Sequence, residues 1–457
     1  MNLYAAVAVI FVVYLALVYR LCSFLRLSGV QYWVLLGSLA FIGALAIAAF
    51  VWFRERKSKT RTAGESATQT GADSNQDLEL LFKEADSRLA ASQLGSGAKL
   101  GTLPVFFVIG TSGSTKTTTM VQSGLEAELL SGQVYQENNV APTRLANLWF
   151  ARNTIFVEAA GNILDDPSHW DRLVRRLRPG RLVSVGKRAQ APRAALVCFD
   201  SENFLKAGAA DAVIADARRL HARLNEISQR LGISFPVYAL FTKLDRLAFF
   251  LDYVRNLNDE EASQVLGATL PPLRVDGKQI YTDAQRARLT EAFDDLYYSL
   301  CSKRPEFLFR EHDADKLPGV YEFAREFRKI RTPLVQFLVD LCRPSQLATA
   351  PFLRGFYFTG VRPVVTTEAV AAPVQRSPER SSMQGTSGAT GMFRVGQQQA
   401  EAARPAAVLQ RESRRVPQWV FLKHLFTNVL LADGAALGAS GSSTKVSALR
   451  RGLLAAA

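Results

Sequence analysis

Cysteine and histidine are scarce in this chain of 457 residues, which contains four of each. The cysteines are scattered, form no CxxC pair and have no histidine near them at the spacing of metal ligands. Structural zinc sites and disulfide frameworks both depend on such clusters. The pattern argues against both and predicts reduced thiols facing the cytoplasm, at Cys22, Cys198, Cys301 and Cys342.

Charged residues are missing from two apolar segments near the N-terminus, residues 3–19 and 30–53. The second segment is long enough to cross the hydrocarbon core, which takes about 20 apolar residues in a helix. The first is slightly short, but Arg20 can snorkel to the interface and extend it. A signal peptide is the competing interpretation of residues 3–19, although the segment lacks a basic n-region and a second span follows almost at once. We therefore predict a two-helix transmembrane hairpin over residues 1–57.

The basic residues around this hairpin predict its orientation. The short loop carries Arg20 and Arg26, whereas five basic residues crowd behind the second span. The positive-inside rule then places the N-terminus and everything after residue 54 in the cytoplasm. The formal net charge of +14 also predicts attraction to anionic lipid. The five residues are Arg54, Arg56, Lys57, Lys59 and Arg61.

Apolar runs alternate with helical patterns after a polar stretch at 58–76, which is typical of a flexible linker. A helical pattern over 77–92 starts with Asp77 as a possible N-cap. Buried strands alternating with helices favour a mostly parallel sheet covered by helices on both faces, that is, an α/β fold. We predict this domain over 77–265, with strands near 104–110, 153–161, 194–201 and 236–245 and a long helix within 204–232.

The remaining sequence predicts three further regions. Residues 266–365 indicate a helical extension with a short strand at 353–360. Residues 366–416 are of low complexity, which predicts a disordered linker. Residues 417–457 predict an amphipathic helix and the start of a possible third membrane span.

A strand-to-helix turn, GTSGSTKT at 110–117, matches the phosphate-binding pattern GxxxxGK[ST] except at Thr115. In such a loop, backbone N–H groups surround the β-phosphate, the lysine reaches the β- and γ-phosphates, and the threonine hydroxyl ligates Mg²⁺. A β-branched side chain in place of the second glycine predicts crowding and weak binding. An ordinary turn rich in serine and threonine is the alternative. The predicted phosphate-binding residues are Gly110, Gly113, Ser114, Thr115, Lys116, Thr117 and Thr118.

Two later strand ends support a nucleotide site, because ligands of open α/β sheets bind at the carboxyl ends of strands. Glu158 stands three residues before Gly161, where nucleotide switches carry DxxG. Glu158 would act on Mg²⁺ and Gly161 on the γ-phosphate, although the carboxylate is one methylene longer than usual. The sequence TKLD supplies Thr242, Lys243 and Asp245, of which Lys243 and Asp245 would select guanine.

The catalytic residues stay unknown at this stage. Asn162 follows the DxxG-like stretch where a glutamine or histidine could orient water, and His169 is expected to be a surface histidine. A basic run at 175–188 lacks interleaved aromatic residues, so we expect a partner-facing loop and no nucleic-acid binding.

The chain resembles the IcmF/TssM family of inner-membrane proteins of the type VI secretion system. The hairpin, the phosphate-loop sequence and TKLD carry the resemblance, together with PTRLANLWFARNTIFVEAAG at 142–161 and LRGFYFTG at 353–360. WVFLKHLFTNVLLAD at 419–433 resembles the helix that precedes the family's third span. The resemblance implies a P-loop GTPase-like domain and assigns Thr143 the role of the switch threonine, a Mg²⁺ ligand with Thr117 and Glu158.

The resemblance also implies function and partners. We expect a structural component of the secretion membrane complex with a degenerate or regulatory P-loop domain; the alternative is a membrane-tethered active GTPase or ATPase that drives assembly. The implied partners are an IcmH/DotU-type inner-membrane protein and type VI baseplate components, and we expect an oligomer. GTP or ATP with Mg²⁺ would bind weakly or not at all. The family continues through a third span to a periplasmic region that binds an outer-membrane lipoprotein, so we expect this chain to be a fragment or a split product, or the periplasmic part to be encoded elsewhere.

Overall fold

The computed structural model describes residues 69–92, 99–136, 139–178, 191–271, 280–344, 349–371 and 409–441. The predicted transmembrane hairpin lies outside these residues, and none of the helices within them is both long and apolar enough to cross a membrane. The chain divides into two compact units, Met1–Glu79 and Leu80–Ala457. The described part of the first unit belongs to helix α1 (Gln69–Ala91). This helix begins eight residues before the predicted start at Asp77, so the last part of the predicted linker is helical.

An eight-stranded sheet organises the second unit, in the order β2-β5-β6-β1-β7-β8-β10-β9. The five strands from β6 to β10 in this order run parallel, while β5, β2 and β9 are antiparallel to their neighbours. Strands β1, β6, β7 and β8 are buried along their whole length, as expected of a sheet covered on both faces. The predicted mixed α/β sheet is therefore confirmed. The strands are β1 (Val105–Ile109), β2 (Glu128–Ser131), β5 (Ala146–Ala151), β6 (Thr154–Ala159), β7 (Arg193–Asp200), β8 (Pro236–Thr242), β9 (Leu266–Thr269) and β10 (Phe352–Phe358).

Helical segments cover both faces of this sheet. Phe199 and Phe241 of the sheet pack against Phe337 on one face, whereas Phe106 and Phe156 share a core cluster with Phe426 on the other. The alternation follows from the strand period of two, which turns successive side chains to opposite faces. The helices are α2 (Lys116–Val121), α3 (Pro167–Arg176), α4 (Ala209–Leu231), α5 (Phe250–Val254), α6 (Asp259–Ser263), α7 (Tyr281–Arg310), α8 (Leu317–Lys329), α9 (Arg331–Leu341) and α10 (Gly434–Gly441).

The region predicted as a helical extension, 266–365, also completes the main sheet. It contains α7, α8 and α9 as expected, but β9 and β10 join the sheet beside β8. The sheet therefore continues beyond residue 265, where the sequence placed the end of the α/β domain. Two further sheets have two strands each, and one of them is formed by β3 (Tyr135–Gln136) and β4 (Asn139–Val140).

The other small sheet overlaps both ends of the interval 366–416, which the sequence predicts to be a disordered linker. Strands β11 (Gly360–Ala371) and β12 (Leu409–Val420) pair antiparallel along twelve residues each, so both ends of that interval are ordered strands. The predicted helix at 417–431 also starts later. Residues 417–420 finish β12, and a π-helical turn, Leu425–Leu430, precedes α10.

Candidate functional site

The turn between β1 and α2 holds the predicted phosphate-loop residues together. Gly113 has φ of 78°, and Thr115 adopts the left-handed conformation with φ of 57° and ψ of 27°. For a residue other than glycine this conformation costs roughly 1–2 kcal/mol. Thr115 thus keeps the backbone geometry that glycine would adopt freely, and its hydroxyl donates to the Ser114 carbonyl. Gly110 cannot carry a side chain, because a Cβ there would lie 2.2 Å from the Cys198 carbonyl oxygen.

Lys116 is buried and turns its ammonium back onto the loop. Its Nζ donates to the carbonyl oxygens of Gly110 at 2.9 Å and Thr111 at 3.0 Å. Burial lowers the pKa of Lys116, against smaller raising effects of Cys198 and Glu158. Thr118 follows in the first turn of α2 and is half-buried. The ammonium therefore holds the loop closed around its own carbonyl groups.

The side chain of Glu158 is the centre of the site. It is fully buried at the carboxyl end of β6, and its Oε1 accepts hydrogen bonds from the hydroxyls of Thr117 and Thr143, the latter at 2.7 Å. Its Oε2 accepts from Asn147 Nδ2 at 3.1 Å and Trp149 Nε1 at 3.2 Å. Each carboxylate oxygen thus has two donors, and the predicted metal-site residues meet in one network. We call these five residues the Glu158 cradle.

The geometry of the cradle fits part of a magnesium site. Neighbouring ligands of octahedral Mg²⁺ lie about 3 Å apart, because each is 2.0–2.1 Å from the ion. The Thr117 and Thr143 hydroxyl oxygens, 3.1 Å apart, match this spacing and could hold the ion. The Glu158 carboxylate contacts both hydroxyls directly. Within the described ranges, histidine, cysteine and carboxylate side chains form no group of three that could hold a metal ion.

Gly161, the predicted switch glycine, lies against the loop. A Cβ on Gly161 would be 2.3 Å from Ser112 Oγ and 2.6 Å from Ser112 N, so only glycine fits this approach. Asn162 begins a short 3-10 helix directly afterwards. The expectation of a surface position for His169 is wrong, since this residue is buried and its Nδ1 pairs with the Asp166 carboxylate.

The three residues predicted to bind the base lie at the end of β8, but each has a protein partner. The Thr242 hydroxyl lies 3.3 Å from both the Ser114 and Phe199 carbonyl oxygens. Lys243 donates to the Asp200 carboxylate at 2.7 Å. Asp245 accepts from the Val361 amide at 3.1 Å, at the start of β11. The structure therefore brings all three motifs to one edge of the sheet.

Sequence reasoning missed Asn147, Trp149 and Asp200. The first two lie on β5, which was not recognised as a strand. The signal in the sequence was two apolar runs, LWFA and TIFV, separated by Arg152 and Asn153. In the structure these two residues have positive φ and form the hairpin connection from β5 to β6. The partner-facing loop predicted within 175–188 lies mostly outside the described residues.

The fold is that of a mixed α/β protein, and its polar site lies at the carboxyl ends of the parallel strands, the edge at which open α/β sheets bind ligands. The model of the IcmF-related N-terminal domain matches residues 164–457, more than half of the chain. The chain therefore belongs to the IcmF/TssM family, and the predicted resemblance is confirmed.

A curated relative and a solved structure add to this comparison. The chain is 30% identical over 311 residues to the type VI secretion system component TssM1 of Pseudomonas aeruginosa. The match covers 65% of this chain and spans only 27% of that relative's length. The SRb-GTP/SRX complex of the signal recognition particle receptor from Chaetomium thermophilum matches 32% of this chain and 71% of its own at 17% identity. Its TM-score of 0.20 carries no argument.

Proposed function

We propose that this chain is an inner-membrane structural component of the type VI secretion system, and that its polar site serves as fixed architecture. Family membership and the name of the TssM1 relative support the first part. The Glu158 cradle supports the second. It joins Thr117 of α2 to Thr143 through protein hydrogen bonds alone, a connection that nucleotide switches make through the metal ion and the γ-phosphate.

The proposal includes the membrane and partner assignments implied by the family. The hairpin at 1–57 anchors the chain in the inner membrane as a multi-pass protein, with the bulk of this chain in the cytoplasm and basic residues against anionic lipid. An IcmH/DotU-type protein and the type VI baseplate dock to the cytoplasmic part, which works as an oligomer. An outer-membrane lipoprotein is contacted through the periplasmic region of the family.

A membrane-tethered GTPase or ATPase is the second candidate, and two observations favour it. Thr115 adopts the left-handed conformation that the loop needs, and the Thr117 and Thr143 hydroxyls keep the spacing of adjacent Mg²⁺ ligands. In that case the phosphates would have to draw Lys116 Nζ away from the Gly110 and Thr111 carbonyls. Mg²⁺ would neutralise phosphate charge at the two hydroxyls.

Nucleotide titration separates the two candidates. The experiment needs the full chain in lipid nanodiscs, because Leu422, Leu425 and Phe426 belong to the sheet core and truncation at 365 would expose it. We expect a fluorescent GTP analogue with Mg²⁺ to bind weakly or not at all, without phosphate release. Micromolar binding that Lys116→Ala abolishes and the exposed control Lys206→Ala preserves, together with phosphate release, would establish the enzyme instead.

A second variant tests the crowding at Thr115. If the extra side chain obstructs the phosphates, Thr115→Gly strengthens binding of the same analogue. Unchanged binding in this variant means that another part of the pocket obstructs the nucleotide. Glu158→Asp then tests whether the Glu158 cradle is that obstruction. ATP and GTP analogues are compared in parallel to test the roles of Lys243 and Asp245.

A further inference from the structure

Two arginines on α7 and α8 contact tyrosine rings instead of carboxylates. The Cζ atom of Arg304 lies 4.8 Å from the centre of the Tyr321 ring, and that of Arg328 lies 5.1 Å from the centre of the Tyr297 ring. Both distances fall within the limit of about 6 Å for a cation–π contact. In the part of the chain that the structure describes, neither guanidinium has a hydrogen-bond or ion-pair partner, and Arg304 Nε is buried without an acceptor. Because a guanidinium has five N–H donors, both side chains keep donors for an incoming acceptor.

Neighbouring cations on the same helices and on α9 are paired with carboxylates. Those carboxylates are therefore engaged and do not neutralise Arg304 or Arg328. Two further acidic residues of α7, Glu291 and Asp295, lie in the cleft between this helix and β9. The surface at Arg304 and Arg328 thus has an excess of positive charge. The neighbouring ion pairs are Lys303–Glu306 at 3.0 Å, Arg325–Glu322 at 2.8 Å, Lys329–Glu326 at 2.6 Å and Arg331–Asp294 at 2.8 Å.

The two contacts form one stripe along the helices. Tyr297 and Arg304 are seven residues apart on α7, and each contacts the opposite member of the pair Tyr321 and Arg328 on α8, so the helices run antiparallel. Seven residues of helix span about 10 Å, which separates the two contacts by that distance. Tyr298 packs at 5.3 Å from the Tyr297 ring and is 61% exposed, and Tyr321 is 54% exposed. We call these five residues the Arg–Tyr stripe.

A guanidinium held over an aromatic ring is suited to bind a carboxylate. The ring restricts the side chain, so less freedom is lost on binding, and the planar fork of N–H groups matches the two oxygens of a carboxylate. Arginine and tyrosine are also enriched among the residues that dominate the binding energy of protein–protein interfaces. Nucleic acids fit less well, because their binding draws its affinity from many phosphate contacts and two guanidiniums supply only two.

We propose that the Arg–Tyr stripe docks an acidic segment of a partner protein, in which two carboxylates about 10 Å apart bind Arg304 and Arg328. The exposed rings of Tyr298 and Tyr321 pack against apolar parts of that segment. The net charge of +14 steers an acidic partner towards this chain. The inference goes beyond the proposed function, since it holds whether or not the Glu158 cradle accepts a nucleotide.

Peptide binding to the full chain in zwitterionic nanodiscs tests the proposal. The probe is a labelled proline-rich peptide with two glutamates three residues apart, because residues at this spacing lie on one side of a polyproline II helix, about 9 Å apart. A peptide with adjacent glutamates and a peptide with glutamines in their place serve as controls. In fluorescence anisotropy at physiological ionic strength, we expect the spaced acidic peptide to bind at least about tenfold more tightly than the glutamine peptide and about threefold more tightly than the adjacent-glutamate peptide.

Arginine variants locate the site. Arg304→Gln combined with Arg328→Gln should weaken binding of the spaced peptide at least about tenfold, and Arg328→Gln alone, at an exposed position, about threefold. The control is Arg172→Gln combined with Arg218→Gln, which removes the same charge from exposed positions on α3 and α4 and should change binding less than about twofold. An equal loss in the two double variants, equal affinity for the three peptides, or no peptide binding overturns the proposal. Binding of a single-stranded oligonucleotide that only the stripe variants weaken, with no peptide binding, identifies a nucleic acid and likewise refutes the acidic partner protein.

Discussion

Removal of the Glu158 carboxylate tests how much the cradle contributes to the free energy of unfolding. In Glu158→Ala the two threonine hydroxyls, 3.1 Å apart, can turn to each other, and Asn147 Nδ2 keeps Thr143 Oγ1 at 3.2 Å. Trp149 Nε1, however, donates to Glu158 and to no other acceptor within the described residues. Its buried N–H is left unpaired, which costs about 1–3 kcal/mol. With the cavity that the truncated side chain leaves, we expect a total loss of about 2–5 kcal/mol.

A double-mutant cycle measures the free-energy cost of leaving the Trp149 indole N–H unpaired. Trp149→Phe removes the donor and retains an aromatic ring, so Glu158→Ala combined with Trp149→Phe should be less destabilised than the sum of the two single variants, by about 1–3 kcal/mol. Urea unfolding of the full chain in nanodiscs gives the free energies, and hydrogen exchange of residues 141–151 reports the local opening. Glu128→Gln, an exposed substitution on β2, is the control. Additive losses, or wild-type exchange in Glu158→Ala, would refute the account of the cradle.

Two further predictions test other parts of the site and its support. Gly161→Ala should destabilise the fold by about 1–3 kcal/mol, because its Cβ would meet the Ser112 backbone. In Gly438→Ala, on α10, the new Cβ meets nothing within 4 Å, so this variant should stabilise the fold by about 0.5–1 kcal/mol. Similar melting temperatures for the two variants would contradict this prediction. Burial works to raise the pKa of Asp433, but hydrogen bonds from Arg354, the Ala436 amide and Tyr238 overcome it and hold the pKa below its usual value. Its contribution is therefore complete above the unfolded value of about 3.9 and is lost as the pH falls through the lower folded value. In thermal unfolding, the stability difference between the wild type and Asp433→Asn should be constant near neutral pH and shrink below about pH 4. A difference that does not change with pH would show that the Asp433 carboxylate does not contribute this stability.

The central strands could be predicted from the sequence because each is an apolar run buried on both faces. β1, β6, β7 and β8 need no knowledge of their neighbours to be recognised. Strand β12 is different, since its sequence, LQRESRRVPQWV, contains polar, basic and proline residues and no long apolar run. Its order comes from pairing with β11, in which Pro363 stands opposite Pro417. Such pairing joins distant parts of the chain and leaves no local period in the sequence.

In the candidate site too, the sequence predicted the residues that belong to a local pattern and not those that depend on strand pairing. Motif spacing located Lys116, Thr117 and Glu158, since each belongs to a local pattern at a strand end. The second half of the cradle depends on strand register, because Asn147 stands directly opposite Glu158 in the β5–β6 pair. Recognition of the two-residue connection at Arg152 and Asn153 would have fixed that register and led to Asn147 and Trp149.

Glu158 is one methylene longer than the aspartate of nucleotide switches, and this length affects how strongly a ligand could change the position of Thr143. A ligand shifts a conformational equilibrium only by its differential affinity for the two states. In this chain the carboxylate reaches the Thr117 and Thr143 hydroxyls directly, so the closed arrangement of Thr143 has its own stabilisation before any phosphate or metal ion arrives. A nucleotide that binds the closed state then gains little further closure. Under the proposed function, these bonds would keep Thr143 in place whether or not a nucleotide is bound, as a structural module requires.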